Sequence, residues 1–99
     1  VSFENLNELR EWLAEASPDT LFADGFEDAI MGVAVQGGKH NPVVVYDRAR
    51  CLEILMSRDG MSEDEAEEFF CFNTEGAWVG EYTPVWLSRV GDGERGVNV

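Results

Sequence analysis

Carboxylates outnumber every other chemically active side chain in this 99-residue chain, and their spacing decides what chemistry is open to them. The tightest group is Asp24, Glu27 and Asp28. Clustered carboxylates can hold Ca²⁺ or Mg²⁺, and a metal-dependent enzyme is one function they could serve. The alternating Asp-x-Asp-x-Asp-Gly ligand pattern is absent, so a turn at Asp24-Gly25 is the expected role and no cofactor is expected. His40, the one histidine, sits in a Gly-rich stretch with no serine or cysteine at a spacing that suggests a nucleophile and its base. The adjacent Gly37-Gly38-Lys39 fails as a phosphate loop. Val33 stands where the first glycine of G-x-x-x-x-G-K-[ST] belongs, and His40 replaces the hydroxyl residue. Cys51 and Cys71 are too few and too far apart for a zinc site or a disulfide framework; both read as buried free thiols in helices, and a pairing between them stays open. The chain therefore reads as a non-enzyme.

The remaining acids point to binding. Asp and Glu number 20 against 7 Lys and Arg, for a net charge of −13. Such a surface repels phosphate, which argues against direct binding to nucleic acid or to an anionic membrane and in favour of a cationic partner. The charge is also segregated: residues 1–31 carry net −7, residues 39–58 net +2, residues 59–81 net −8, and residues 82–99 are neutral. Solubility alone would be met by interspersed signs. On a helix Glu4, Glu8, Glu11 and Glu15 fall within about 60° of one another, a stripe with steps of about 5 to 6 Å. Glu63, Asp64, Glu67 and Glu68 form the outer side of another helix. These steps approach the spacing of phosphates along a nucleic-acid strand, so two such helices approximate the charge density of DNA over a short patch. The alternative is a face that is merely solvated.

Three helices and a three-stranded, mainly antiparallel sheet must position these residues, which is an α+β fold. Leu, Ile, Val and Phe make up 26 of the 99 residues, enough for one modest core. Residues 1–90 are expected to form a single domain and residues 91–99, with nothing to bury, a flexible tail. The first helix reads from Phe3 to Ala16 with Ser2 as its N-cap, and Leu6, Leu9, Trp12, Leu13 and Ala16 form its core face. Residues 29–36 and 43–46 read as a hairpin. Asp47 caps a second helix from Arg48 to Arg58, stopped by Gly60, with Cys51, Leu52, Leu55 and Met56 inward. Ser62 and Glu65 form a capping box that starts a third helix at Glu63, stapled by Met61 and Ala66, with Ala66, Phe69, Phe70 and Phe72 inward. Pro84 to Val90 reads as a strand entered at its start or along an edge. No apolar run is long enough to span a bilayer and the N-terminus has no basic segment followed by an apolar one, so a cytoplasmic location is expected. Among the tryptophans, Trp12 lies on a core face, whereas Trp78 lies among glycines and is the candidate interface anchor.

Several stretches carry a resemblance. Leu21-Phe22-Ala23-Asp24-Gly25-Phe26-Glu27-Asp28-Ala29, Val45-Tyr46-Asp47, Gly60-Met61-Ser62 with Glu65-Ala66, and Phe72-Asn73 through Gly76-Ala77-x-Val79-Gly80-Glu81-x-Thr83-Pro84 resemble a family of small acidic phage and mobile-element proteins. The chain is also similar to type I anti-CRISPR proteins of the I-C subtype. The likeness covers about residues 21–87 and leaves the first helix outside it. It implies a monomeric inhibitor in the host cytoplasm, bound to the basic DNA-binding surface of a type I effector complex such as a Cascade subunit, and it carries over no catalytic residue. The alternative is a small phage regulatory or assembly module that binds a protein through the Trp78 to Trp86 segment.

Overall fold

The computed structural model describes residues 2–37 and 41–91. The first helix, α1, spans Leu6–Ala16. Asn5 sets its start: the Asn5 side chain accepts the Glu8 N–H at 3.0 Å, and the Glu8 carboxylate accepts the Glu4 N–H at 2.9 Å. This corrects the expected start at Phe3 under a Ser2 cap. Asparagine caps as well as serine does, and the Asn5 and Glu8 side chains between them satisfy the Glu8 and Glu4 amides at the helix start. Phe3 stays outside the helix and packs edge-on against Trp12, with ring centroids 5.7 Å apart. Leu9 and Leu13 are buried, but Ala16 is exposed, and Ser17 takes the buried place at the helix end. The Ser17 N–H donates to the Leu13 carbonyl at 2.8 Å, and the Ser17 hydroxyl lies 2.8 Å from that of Thr20.

Strand β1, Ile30–Ala34, pairs antiparallel with β2, Val43–Asp47, through a register shift between Ile30 and Gly32 that leaves Met31 in a bulge. Strand β3, Val85–Leu87, pairs parallel with β2, giving the order β1-β2-β3 in a sheet that is mostly antiparallel. The expected strand from Pro84 to Val90 contracts to three residues. Pro84 has no amide to donate, and beyond Leu87 the chain leaves the sheet, with Arg89 meeting the Asp47 carboxylate at 3.0 Å.

Parallel neighbours require a long crossover. Helices α2, Arg48–Asp59, and α3, Glu63–Phe70, supply it together with a π-helical turn at Cys71–Glu75. The caps of both helices follow the sequence reading. The Asp47 side chain accepts the Arg50 N–H, Gly60 closes α2 at φ 70°, and the Ser62/Glu65 box is complete, at 3.2 Å and 2.9 Å. Their inward faces differ in part. Ile54 is buried where Met56 was expected, because the buried stripe of α2 runs Cys51, Ile54, Leu55 at steps of three and one. On α3, Ala66 and Phe70 are fully buried, whereas Phe69 is 40% and Phe72 77% exposed. The π-turn widens the helix after Phe70 and turns Phe72 outward.

One hydrophobic cluster joins these elements: Leu9 and Leu13 of α1, Phe26, Val44 and Tyr46 of β2, Cys51, Ile54 and Leu55 of α2, and Ala66 and Phe70 of α3. Aromatic rings form its centre. Phe70 meets Phe26 and Trp86 edge-on at 5.9 Å and 5.1 Å, and Trp86 lies 5.0 Å from Tyr46. The buried Tyr46 hydroxyl accepts the Ala23 N–H at 2.7 Å and ties the segment before β1 to the sheet. Alternation along a strand then fixes the other side. Val44, Tyr46 and Trp86 face the helices, while Val43 and Val45, half-buried, and Val85 and Leu87, exposed, face away and lie outside the cluster. The fold is thus two layers, helices on one side of the sheet and on the other an apolar face that is half-buried at Val43 and Val45 and exposed at Val85 and Leu87.

Candidate functional site

The carboxylates lie on the helical layer. Leu9 and Leu13 face the core, so Glu8, Glu11 and Glu15 point outward and are exposed over about 10 Å of α1. Glu4 is exposed but lies before the helix, so the four-member stripe becomes three members, one of which already serves the helix start. Glu63, Asp64 and Glu68 are exposed on α3. Among the described residues Glu11, Glu15, Glu63, Asp64 and Glu68 have no ion-pair partner. Unbalanced by nearby cations, they set a negative potential over that side of the molecule.

Glu67 has a different role. Arg48, the first residue of α2, sits with its side chain only 17% exposed between Glu67 and Glu75. Its Nε and Nη2 donate to the two oxygens of Glu75 at 2.8 Å and 3.0 Å, and its Nη1 donates to Glu67 Oε2 at 3.3 Å, while Nη2 also bonds Glu67 Oε1. The guanidinium rests 5.4 Å from the Phe70 ring centroid. Hydrogen bonds from Arg48 hold both carboxyls below the usual carboxylate range. The clamp joins the start of α2 to α3 and the π-turn, and it occupies the carboxylate of Glu67. Gly76 closes that turn: its N–H donates to the Cys71 carbonyl at 3.0 Å, and a Cβ there would lie 2.8 Å from the same oxygen.

The two thiols are free and unlike each other. Cys51 is buried, and burial pushes its thiol up to about 12. Cys71, also expected to be buried, is exposed because it follows the last inward residue of α3. Partial desolvation and the neighbouring Glu75 and Glu67 raise its pKa, and its Sγ lies 3.5 Å from Glu75 Oε1. At the other acidic cluster, the chain turns at Asp24 and Gly25, where φ is 93°. The Glu27 carboxylate, rather than that of Asp24, closes this turn by accepting the Gly25 N–H at 3.2 Å. Among the described residues no three His, Cys, Asp or Glu side chains come together as a metal would need. His40 and the glycine-lysine pair before it lie outside the described residues, as does the stretch from Asp92 expected to form a tail. No helix of the described residues is long and apolar enough to cross a membrane.

The sheet side carries a second surface. Trp78 is 74% exposed and lines a groove of about 330 Å³ together with Ala34, Val35, Val43, Val85 and Glu81. Trp86, at the far end of the same segment, belongs to the core, so of the two tryptophans only Trp78 is open to a partner. The outer valine face was missed in the sequence, although a signal existed. Val43-Val44-Val45-Tyr46 and Val85-Trp86-Leu87 are apolar at successive positions, the pattern of strands with apolar groups on both faces. The Arg48 clamp left no such signal, since its partners are 19 and 27 residues away. Comparison with protein-family models, curated proteins and solved structures finds no match for this chain.

Proposed function

We propose that this chain is a non-enzymatic inhibitor that covers a cationic DNA-binding surface of a host protein complex, with the outward carboxylates of α1 and α3 in the place of phosphates. The observation that carries this reading is that Glu11, Glu15, Glu63, Asp64 and Glu68 are exposed and have no cationic partner among the described residues. Carboxylates held on short helices lose little freedom on meeting a basic surface, and each pair formed releases counterions from that surface. The resemblance to type I anti-CRISPR proteins makes a type I effector complex the natural target to test.

The experiment is competition for duplex DNA on a purified type I-C effector complex. Inhibition should fall steeply between low and physiological salt and should weaken when Glu8, Glu11 and Glu15, or Glu63, Asp64 and Glu68, become Gln. DNA binding that is unaffected by saturating inhibitor, or inhibition indifferent to salt and to both variants, would overturn the reading. A second reading, a phage regulatory or assembly module, draws on the exposure of Trp78 beside the outer valine face. It expects both acidic variants to bind normally and Trp78→Ala to lose the partner.

A further inference from the structure

The groove under Trp78 has an apolar floor and one charged wall. Ala34 and Val43 are cross-strand neighbours on the outer face of β1 and β2, and Val85 continues that face into β3. Trp78 and Val35 rise beside it, and among the described residues Glu81 is the one charged residue of the lining. The Glu81 Oε1 accepts the Asn41 side-chain N–H, which fixes the carboxylate in place. Its second oxygen has no partner among the described residues.

We infer that this groove seats an arginine side chain of the partner protein. Arginine combines what the lining asks for. Its three-carbon stem lies on valine and alanine, its flat guanidinium stacks on indole, and its charge meets a carboxylate in a fork-shaped contact. A purely apolar plug would leave the Glu81 carboxylate facing a dry contact without a partner, which is costly. A second copy of this chain is a poor occupant. Its net charge of −13 repels its like. Its described arginines are also already engaged: Arg10 over the Phe22 ring, Arg48 in the clamp, Arg50 with Glu53, Arg58 with Asp59, and Arg89 with Asp47. The groove lies on the sheet side and the acidic stripes on the helical side, so the partner reaches round one edge of the molecule or meets the two sides with separate parts. The inference rests on the reading of a cationic protein partner and names the contact that would make it specific.

The test uses the full chain, labelled with ¹⁵N, and a capped pentapeptide alternating valine and arginine, with a counterpart in which neutral citrulline replaces arginine. The arginine peptide should move the indole N–H resonance of Trp78 and leave those of Trp12 and Trp86 in place. Citrulline should weaken binding by about five-fold or more, and Trp78→Ala should do the same. Glu81→Gln should cost about three-fold. Thermal melts control for folding, and the exposure of Trp78 leaves its variant's melting temperature near that of the parent. Equal affinity for the two peptides, or undiminished binding by Trp78→Ala, overturns the inference. The variant Glu8, Glu11, Glu15→Gln separates the two claims, since the groove alone predicts unchanged peptide binding while the mimic reading predicts weaker inhibition of the effector. Loss of peptide binding by that variant would overturn the groove as the seat.

Discussion

Replacing Arg48 by methionine keeps an unbranched apolar stem against Phe70 and removes only the guanidinium. The lost contacts are four nitrogen-oxygen bonds to Glu67 and Glu75. Charged hydrogen bonds are individually worth about 1.5–3 kcal/mol when well buried. Here the arginine is 17% exposed but the carboxylates are 47% and 34% exposed, so solvent screens the pairs and the sum falls well short of additive. A total near 2 kcal/mol is expected, and for a domain of this size that lowers the melting temperature by about 8–16 °C. Acid titration gives a second readout. Arg48 lowers the pKa of both glutamates. Their contribution is therefore present above the unfolded value, about 4.3, and is lost as pH falls through the folded values. The pKa of Arg48 itself is raised, and a raised basic group loses its contribution only at strongly alkaline pH. Melting temperature against pH should thus fall more steeply below about pH 5 in the parent than in Arg48→Met. A loss smaller than about 3 °C at neutral pH, or two acid limbs that run parallel, would show that the clamp contributes nothing and that α3 is held by Ala66 and Phe70 alone.

Three further outcomes follow from single contacts. Gly76→Ala should cost about 1–3 kcal/mol in denaturant unfolding, because the new methyl group must displace the Cys71 carbonyl that the π-turn uses. Asn5→Ala should cost about 1 kcal/mol, whereas Ser2→Ala should leave unfolding unchanged, which tests where α1 begins. Iodoacetamide applied to the native protein should modify Cys71 alone, slowly because its thiol pKa is raised, and reach Cys51 only on unfolding; mass spectrometry of peptides reads the order.

Local chemistry made parts of the fold legible. The Ser62/Glu65 box, the Asp47 cap and the Gly60 stop are decided within a few residues of backbone, so α2 and α3 begin, and α2 ends, where the sequence places them. The same local logic failed at Ser2, because two competent caps lay three residues apart and it is Asn5 that accepts the Glu8 N–H, with the Glu8 carboxylate holding the Glu4 N–H. Charge sign and total were equally plain, since Asp and Glu remain charged and outside whatever the fold. The pairing of those charges was not plain. Glu67 reads like its neighbours on α3, yet it is taken by Arg48 across 19 positions, a contact that exists only because α2 and α3 pack together. Phe72 reads as core by its apolar character, and Val43 reads only as part of a strand. Tertiary packing left the first in solvent beyond a widened turn and put the second, half-buried, on the sheet face away from the helical core. Sequence by itself thus determined the starts of α2 and α3, the strand identities and the acidic character of the protein, because these depend on neighbours a few bonds apart. Which carboxylates stay free and which strand residues come to line the groove beside Trp78 were decided only by the tertiary structure, because each depends on the packing of segments far apart in the chain.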